Sequence, residues 1–388
     1  MAVEPGARPD RDGVRVVAGS PVRRSPMPRF HALRRALLTS TMVASWWSAG
    51  TASVPARAQT EGGSRMVIES VDRFRVREPN FEGVRIVLDA LGDRYSPAYI
   101  QGISGAAFRF GGPCPCAPNC STQMDTTDLI KLLGYEYTQE ILGWTGDVQD
   151  AKENIVPLIP KIKDSIRAGR PVLLWYGFAD SAYEVVTGFD DAEGVFLGYH
   201  MHQGADEGLA KAKQDRAQEC AAMFPALGAI FIGEQVGALD ARAAEAAALK
   251  EAVRHAHDRE VVPMAGRPDM NGLLAYDRWA GKFRDPEAKR WAGDSHCYYV
   301  YRSTHRAAGQ FLGEIAPHYP RAAELLTSAA REFTAEADVL DEAEPLLAWQ
   351  SPEHDAARNA RLWPLLTKAR DHYAAAIALI EKALPLLG

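Results

Sequence analysis

The sequence predicts an α+β fold, with helices leading into an antiparallel sheet in the first half and a helical bundle in the second. Three observations predict it. Apolar residues at helical spacing come before the strand-like runs instead of alternating with them, an order that separates α+β from βαβ folds. Four β-rich runs then follow one another between residues 170 and 233. Beyond residue 236 every apolar pattern has helical period, with Ala at the tight packing positions.

The elements justify themselves in order. Residues 1–26 are rich in Pro, Gly and Arg without apolar period and are read as a disordered extension. From Met27 the order is basic segment (Arg29, Arg34, Arg35), apolar segment (Ala36 to Val54) and an A-x-A site at Ala56 to Ala58. That arrangement predicts an export signal over 27–58, cut before Gln59, and a periplasmic or secreted protein. The Arg34-Arg35 pair also suits the twin-arginine route. The other reading of the segment is an uncleaved anchor, the single way in which this chain would meet a membrane.

Residues 66–236 and 237–388 are read as two domains. Met66 to Arg75 alternates as an edge strand does. Phe81 to Leu91 carries helical spacing and stops at Gly92; Met124 to Leu133 and Pro157 to Ala168 are further helices, the second with its prolines in the first turn. YEYTQEIL, RPVLLWY, YEVVTGF, VFLGY and AIFIG are the strands, and Asp190 to Gly194 is a hairpin turn. The helices of the second domain are expected over 239–258, 270–283, 296–315, 320–343 and 354–387, the last interrupted at Pro364.

Hydrophobic content of 47% and charged content of 24% are those of an ordinary globular protein, and a formal charge of −6 gives no support to nucleic acid as a partner. A small-molecule or peptide ligand fits this balance. There are five cysteines, an odd number, so in an oxidising compartment at least one thiol is unbridged, metal-bound or paired outside the chain.

Gly102 to Cys120, GISGAAFRFGGPCPCAPNC, is the stretch that points to a site. A small-residue turn (Ser104, Gly105) and Phe108 are its candidate ligand contacts, because small residues allow close approach. Cys114, Cys116 and Cys120 are open to three readings: one disulfide, a soft-metal site for Zn or Cu(I), or a nucleophilic thiol at Cys116 served by a base such as His200 or His202. His200 and His202, two apart on a strand, share a face and are candidate metal ligands, or else a partly exposed strand end. No cofactor is required by any of these patterns. His255 and His257, two apart on a helix, are expected to face solvent. Tyr276, Trp279, Tyr298 and Tyr299 read as helical core, and Glu336 to Glu344 as a solvated helix face.

The order FEGVRIVLDALG, GISGAAFRF, RPVLLWYG, YEVVTGFDD and ALGAIFIGE, followed by GLLAYDRWAGKF and YRSTHRAAGQFLGEIAP, resembles the butirosin biosynthesis protein H type over about residues 70–340. The resemblance implies a papain-like cysteine peptidase domain followed by a helical domain. It also implies chemistry of the acyltransferase or amide-cleaving class, as in the family member that moves an aminoacyl group from a carrier protein to an aminoglycoside. The family's catalytic Cys falls near Phe81, beside Glu82; its His falls at Tyr183 or Glu184, and its third polar group near His200. The Cys-His pair is therefore missing. The resemblance places Glu82 and Glu184 across the cleft, where two carboxylates could divide acid and base roles or bind a cation or an amine; Asp190 is a candidate ligand contact, or else a turn residue. Three functions follow: a divergent or inactive enzyme-like protein, a non-catalytic binder using the same cleft, or a soft-metal binder.

Overall fold

Glu78 begins the helix that positions everything else. Its carboxylate accepts from the amides of Asn80 (3.2 Å) and Phe81 (2.9 Å), Pro79 takes the first helical position, and Gly92 closes the far end at φ 100°. In this computed structural model the described residues are 58–61, 65–112, 124–142, 154–179, 182–204, 206–217, 227–264 and 267–388. The helices are α1 (Pro79–Leu91), α2 (Pro97–Ile103), α3 (Thr126–Leu132), α4 (Leu158–Arg167), α5 (Ala241–Ala256), α6 (Gly272–Lys282), α7 (Ala292–Ile315), α8 (Ala323–Glu342), α9 (Glu344–Leu347) and α10 (Ala356–Ala383). The strands are β1 (Ala58–Glu61), β2 (Arg65–Ile68), β3 (Gly111–Gly112), β4 (Tyr135–Glu140), β5 (Val172–Trp175), β6 (Tyr183–Asp190), β7 (Val195–Tyr199), β8 (Ala210–Lys213), β9 (Ala229–Gln235), β10 (Val262–Met264) and β11 (Arg267–Asn271).

The fold is α+β. Its main sheet is antiparallel throughout, in the order β1-β2-β6-β5-β9-β4, with β7 on the other edge of β6 and β8 beyond it. All eight residues of β6 are buried. α1 rests on this sheet through Gly83, where a Cβ would come within 2.9 Å of Leu173 and 3.7 Å of Val185. The β6–β7 hairpin turns where the sequence predicts: Asp190 Oδ1 accepts from the amides of Ala192 (3.0 Å) and Glu193 (3.2 Å), and Gly194 takes φ 67°.

Two expectations change. Met66 to Arg75 is a strand only as far as Ile68, and β2 lies between β1 and β6, not at an edge. The second half also holds strands: β10 and β11 form a small sheet with β3 from the first half, Asn271 pairing with Gly111 and Met270 with Gly112. The described residues between 58 and 388 form one compact unit.

The two halves meet on the small-residue stretch. α2 packs on α7 so closely that a Cβ on Gly102 would lie 2.2 Å from the ring of Phe311. Four consecutive residues, 108–111, are then held by side chains of the helical half. Tyr373 OH donates to Phe108 O (2.9 Å) and His305 Nε2 lies 3.1 Å from Arg109 O. Phe110 N–H donates to His255 Nε2 (2.9 Å), and Gly111 N–H donates to Tyr301 OH (3.0 Å). The Phe110 ring stacks between Tyr276 (4.0 Å) and Tyr301 (4.1 Å). Buried backbone groups in irregular chain need such partners, and aromatic hydroxyls and imidazoles supply them without opening the core.

Candidate functional site

A cavity of about 270 Å³ opens where the N-terminus of α1 faces the sheet. Asn80 and Phe81 form one wall, Trp175 and Tyr183 the other, Gln139 of β4 and residues 124–127 the rim, and Arg109 the inner end. The alternation of a strand decides which side chains reach it. Trp175 pairs with Tyr183 across β5 and β6, on the face that carries Leu173 and Val185 toward α1. Glu184, one residue on, points to the opposite face.

The polar groups are fixed in place. Tyr183 N–H donates to Asn80 Oδ1 (3.0 Å), tying the sheet to the start of α1. Tyr183 OH accepts from Gln139 Nε2 (2.9 Å) and donates to Leu227 O (3.2 Å), and burial pushes the phenol well above its usual range. Its ring meets Trp175 edge-on at 5.2 Å. The Arg109 guanidinium lies over the Phe81 ring at 5.8 Å and donates to Ser104 O (3.1 Å). Burial lowers it to about 10, with the negative charge of Glu78 working the other way. Burial raises the Glu78 carboxyl, against the hydrogen bonds from Phe81 N–H and Gln101. Asp125 is the N-cap of α3, yet its side chain makes no capping bond; it is exposed at the rim.

The sequence-derived candidates scatter. Glu82 and Glu184 do not face one another. Glu82 is fully buried and accepts from Arg75 N–H (3.0 Å) and from Arg85 through Nε (2.9 Å) and Nη2 (2.7 Å). Glu184 accepts from the amides of Phe178 and Ala179 in the β5–β6 loop. The bonds to Glu82 all fall on Oε1 and leave its buried Oε2 without a hydrogen-bond partner, while Glu184 is engaged by loop amides beside the next strand residue, so the two carboxylates do not meet as a pair. Ser104 holds its own turn, donating to Gln101 O (3.1 Å) and accepting from Ala106 N–H (3.3 Å). Gly105 takes φ 77°, Phe108 is packed against Phe311 and Phe333, and Asp190 serves the hairpin. None of these four lines the cavity.

His200 and His202 are not on a strand: β7 ends at Tyr199, and 200–203 is a turn closed by Gln203 N–H donating to His200 O (3.2 Å). Their rings are 6.1 Å apart, and His202 stacks on Tyr299 instead (5.3 Å). Among the described residues no group of three or more His, Cys, Asp and Glu side chains is placed to hold a metal ion. Cys114, Cys116 and Cys120 lie outside the described residues. Tyr276, Trp279 and Tyr298 are buried as core. His255 is the reverse of its expectation: it is 1% exposed, because its face of α5 turns toward Phe110 and not to solvent.

Asn80, Arg109, Gln139 and Trp175 were not singled out by the sequence. A weak signal existed for two of them. Arg109 is the lone charge in an otherwise apolar run, and strand period puts Gln139 on the face of Tyr137. Compared with protein-family models and with curated proteins, the chain matches none.

Proposed function

We propose that this chain is a non-catalytic binding protein that takes a small amine or a short peptide in the cleft between α1 and the sheet. One observation carries the reading. The positions at which the butirosin-H-like resemblance puts Cys and His hold Phe81 and either Tyr183 or Glu184, and no thiol or imidazole is among the described residues lining the cavity. What lines it suits recognition: three aromatic rings, the amides of Asn80 and Gln139, and one exposed carboxylate, Asp125, that is not engaged in capping. An ammonium group gains from a carboxylate and from aromatic faces together. The Arg109 charge has the Glu78 charge near it and so opposes such a ligand weakly.

Export belongs to the same proposal. Cleavage before Gln59 leaves the rest of β1 to pair with β2, Gln59 opposite Val67. Among the described residues no helix is long and apolar enough to cross a membrane.

Calorimetric titration of the purified chain with primary diamines, an aminoglycoside and dipeptides tests the reading. Saturable binding that Asp125→Asn weakens is the expected result. A mass increase on a cysteine after incubation with an aminoacyl thioester would overturn it in favour of acyl transfer.

A further inference from the structure

A second cavity, of about 280 Å³, lies away from the cleft and is walled by the segment Asp72 to Arg77, the end of β7 and the turn after it. Three guanidinium groups line it, Arg73, Arg75 and Arg77, against one carboxylate, Asp72, an excess of two positive charges (3 − 1). Asp72 is already engaged twice. Its oxygens accept from Arg75 Nε (3.0 Å) and Nη2 (2.8 Å), and from Arg85 Nη1 (2.9 Å). Burial works to raise its carboxyl, yet the bonds from Arg75 and Arg73 N–H and the charge of Arg85 hold it down at about 2. The anion in the wall is therefore charged at neutral pH and already engaged by Arg75 and Arg85.

Arg77 differs from Arg75. No carboxylate among the described residues pairs with it. Its guanidinium lies over the Tyr299 ring at 5.1 Å, its Nη1 donates to Gln203 O (3.3 Å), and its own amide is fixed by Ser303 Oγ (3.0 Å). Ring stacking holds a guanidinium by its face and leaves its N–H edge for a ligand. Arg73 brings a second stacked guanidinium, over Tyr199 at 5.5 Å. The Arg77 fork, held over an aromatic ring with the Arg73 charge on the same wall, is a donor that bidentate oxyanions fit.

We propose that this cavity binds an oxyanion, a carboxylate or a phosphate group, with Arg77 as the principal contact and Arg73 beside it. The site uses none of the residues of the amine cleft, so it stands whether or not that cleft binds a ligand.

The test is calorimetric titration of the purified full chain with inorganic phosphate, acetate and citrate at constant ionic strength, chloride being the reference anion. Saturable binding of at least one probe is expected. Arg77→Gln, which keeps most of the stem and removes the fork, should weaken it about tenfold or more, the loss of one charge-assisted hydrogen bond. Arg306→Gln, which removes an exposed cation paired with Asp338 and Asp341, should leave it unchanged. Tighter phosphate than acetate and citrate assigns a phosphate ligand, and the reverse order a carboxylate. If Arg77→Gln lowers the ligand-free melting temperature, Arg77→Lys serves in its place, because it keeps the charge but not the fork and should still lose most of the affinity. The proposal fails if no probe binds more tightly than about 10 mM, or if the Arg77 variant binds as the wild type does, which would mean an adventitious ion only.

Discussion

His255 Nε2 lies 2.9 Å from the amide nitrogen of Phe110, while the carbonyl of Phe110 takes the amide of Gly272 at 2.6 Å. The same imidazole nitrogen lies 3.0 Å from the Phe110 carbonyl oxygen, so the tautomer decides which of the two bonds it makes, while burial favours the neutral ring. Burial, helped by the positive charge of Arg109, lowers it from 6.5 to about 4. The sign follows. Between about 6.5 and 4 the unfolded chain binds a proton that the folded chain refuses, so stability is full above 6.5 and falls as pH drops through that window. The loss amounts to ~3 kcal/mol. Glu78 and Glu82, whose carboxyls burial raises, act in the opposite sense in acid. The informative quantity is therefore the difference between wild type and His255→Gln. The variant should melt lower at pH 7.5 and lose part of the acid-side slope; an unchanged slope would refute the assignment.

Gly102 sets the distance between α2 and α7. The Cβ of an alanine there would meet three carbons of the Phe311 ring at 2.2 to 2.5 Å. Ala improves helix propensity by about 1 kcal/mol, but overpacking a rigid ring contact costs about 1–3 kcal/mol, so the clash wins. Gly102→Ala should lower the melting temperature, and Phe311→Leu in the same chain should restore part of the loss. Melting curves of the two single variants and the double variant settle this: strictly additive losses would show that the contact is not the cause.

The α+β order, the hairpin at Asp190 and most element positions were legible because each rests on local pattern: period, turn residues, proline placement. What was not legible depends on contacts far apart in the chain. His255 looks solvent-facing beside His257 until α5 is known to cover Phe110, 145 residues away. Gly111 and Gly112 carry no strand signal; they become β3 only because β11 runs beside them. The site was less legible than the fold. Glu82 and Glu184 were chosen by their position in a family resemblance, and position alone does not reveal that strand alternation turns Glu184 off the cleft face. Tyr183, in the neighbouring place, was legible only as a departure from that family.

Glu336 opens a stretch that reads as a solvated acidic face, and it is fully buried. Its Oε1 accepts from Tyr276 OH (3.0 Å) and lies 2.7 Å from His305 Nδ1, while the other nitrogen of His305 faces the Arg109 carbonyl. A carbonyl only accepts, so His305 Nε2 is the donor there, and Nδ1 faces the carboxylate. Glu336→Ala removes the acceptor of two buried groups and should destabilise the chain by about 3–5 kcal/mol, as breaking a buried pair does. Asp338→Ala, two residues along and exposed, should change stability by less than about 1 kcal/mol. Urea unfolding of both variants makes the comparison, and equal effects would return Glu336 to the solvated face.

Glu184 and Asp125 separate scaffold from recognition. Glu184 is 1% exposed and holds the amides of Phe178 and Ala179 from the sheet face turned away from the cleft. Removing it strands the buried amide of Phe178 at about 1–3 kcal/mol and leaves the half-buried amide of Ala179 to water. Glu184→Ala should therefore lower the melting temperature clearly. Glu184→Gln keeps an acceptor oxygen for at least one of the amides and should fold, with amine affinity within about twofold of wild type, less than the ~1.4 kcal/mol of a tenfold change. Asp125→Asn should do the reverse: the carboxylate makes no capping bond, so stability holds, while the affinity for an ammonium ligand falls about tenfold. Parallel calorimetry and melting on the three variants decide the matter. If Glu184→Gln weakened the ligand as much as Asp125→Asn does, Glu184 would belong to the recognition surface after all, and its orientation on β6 would not be what governs the cleft.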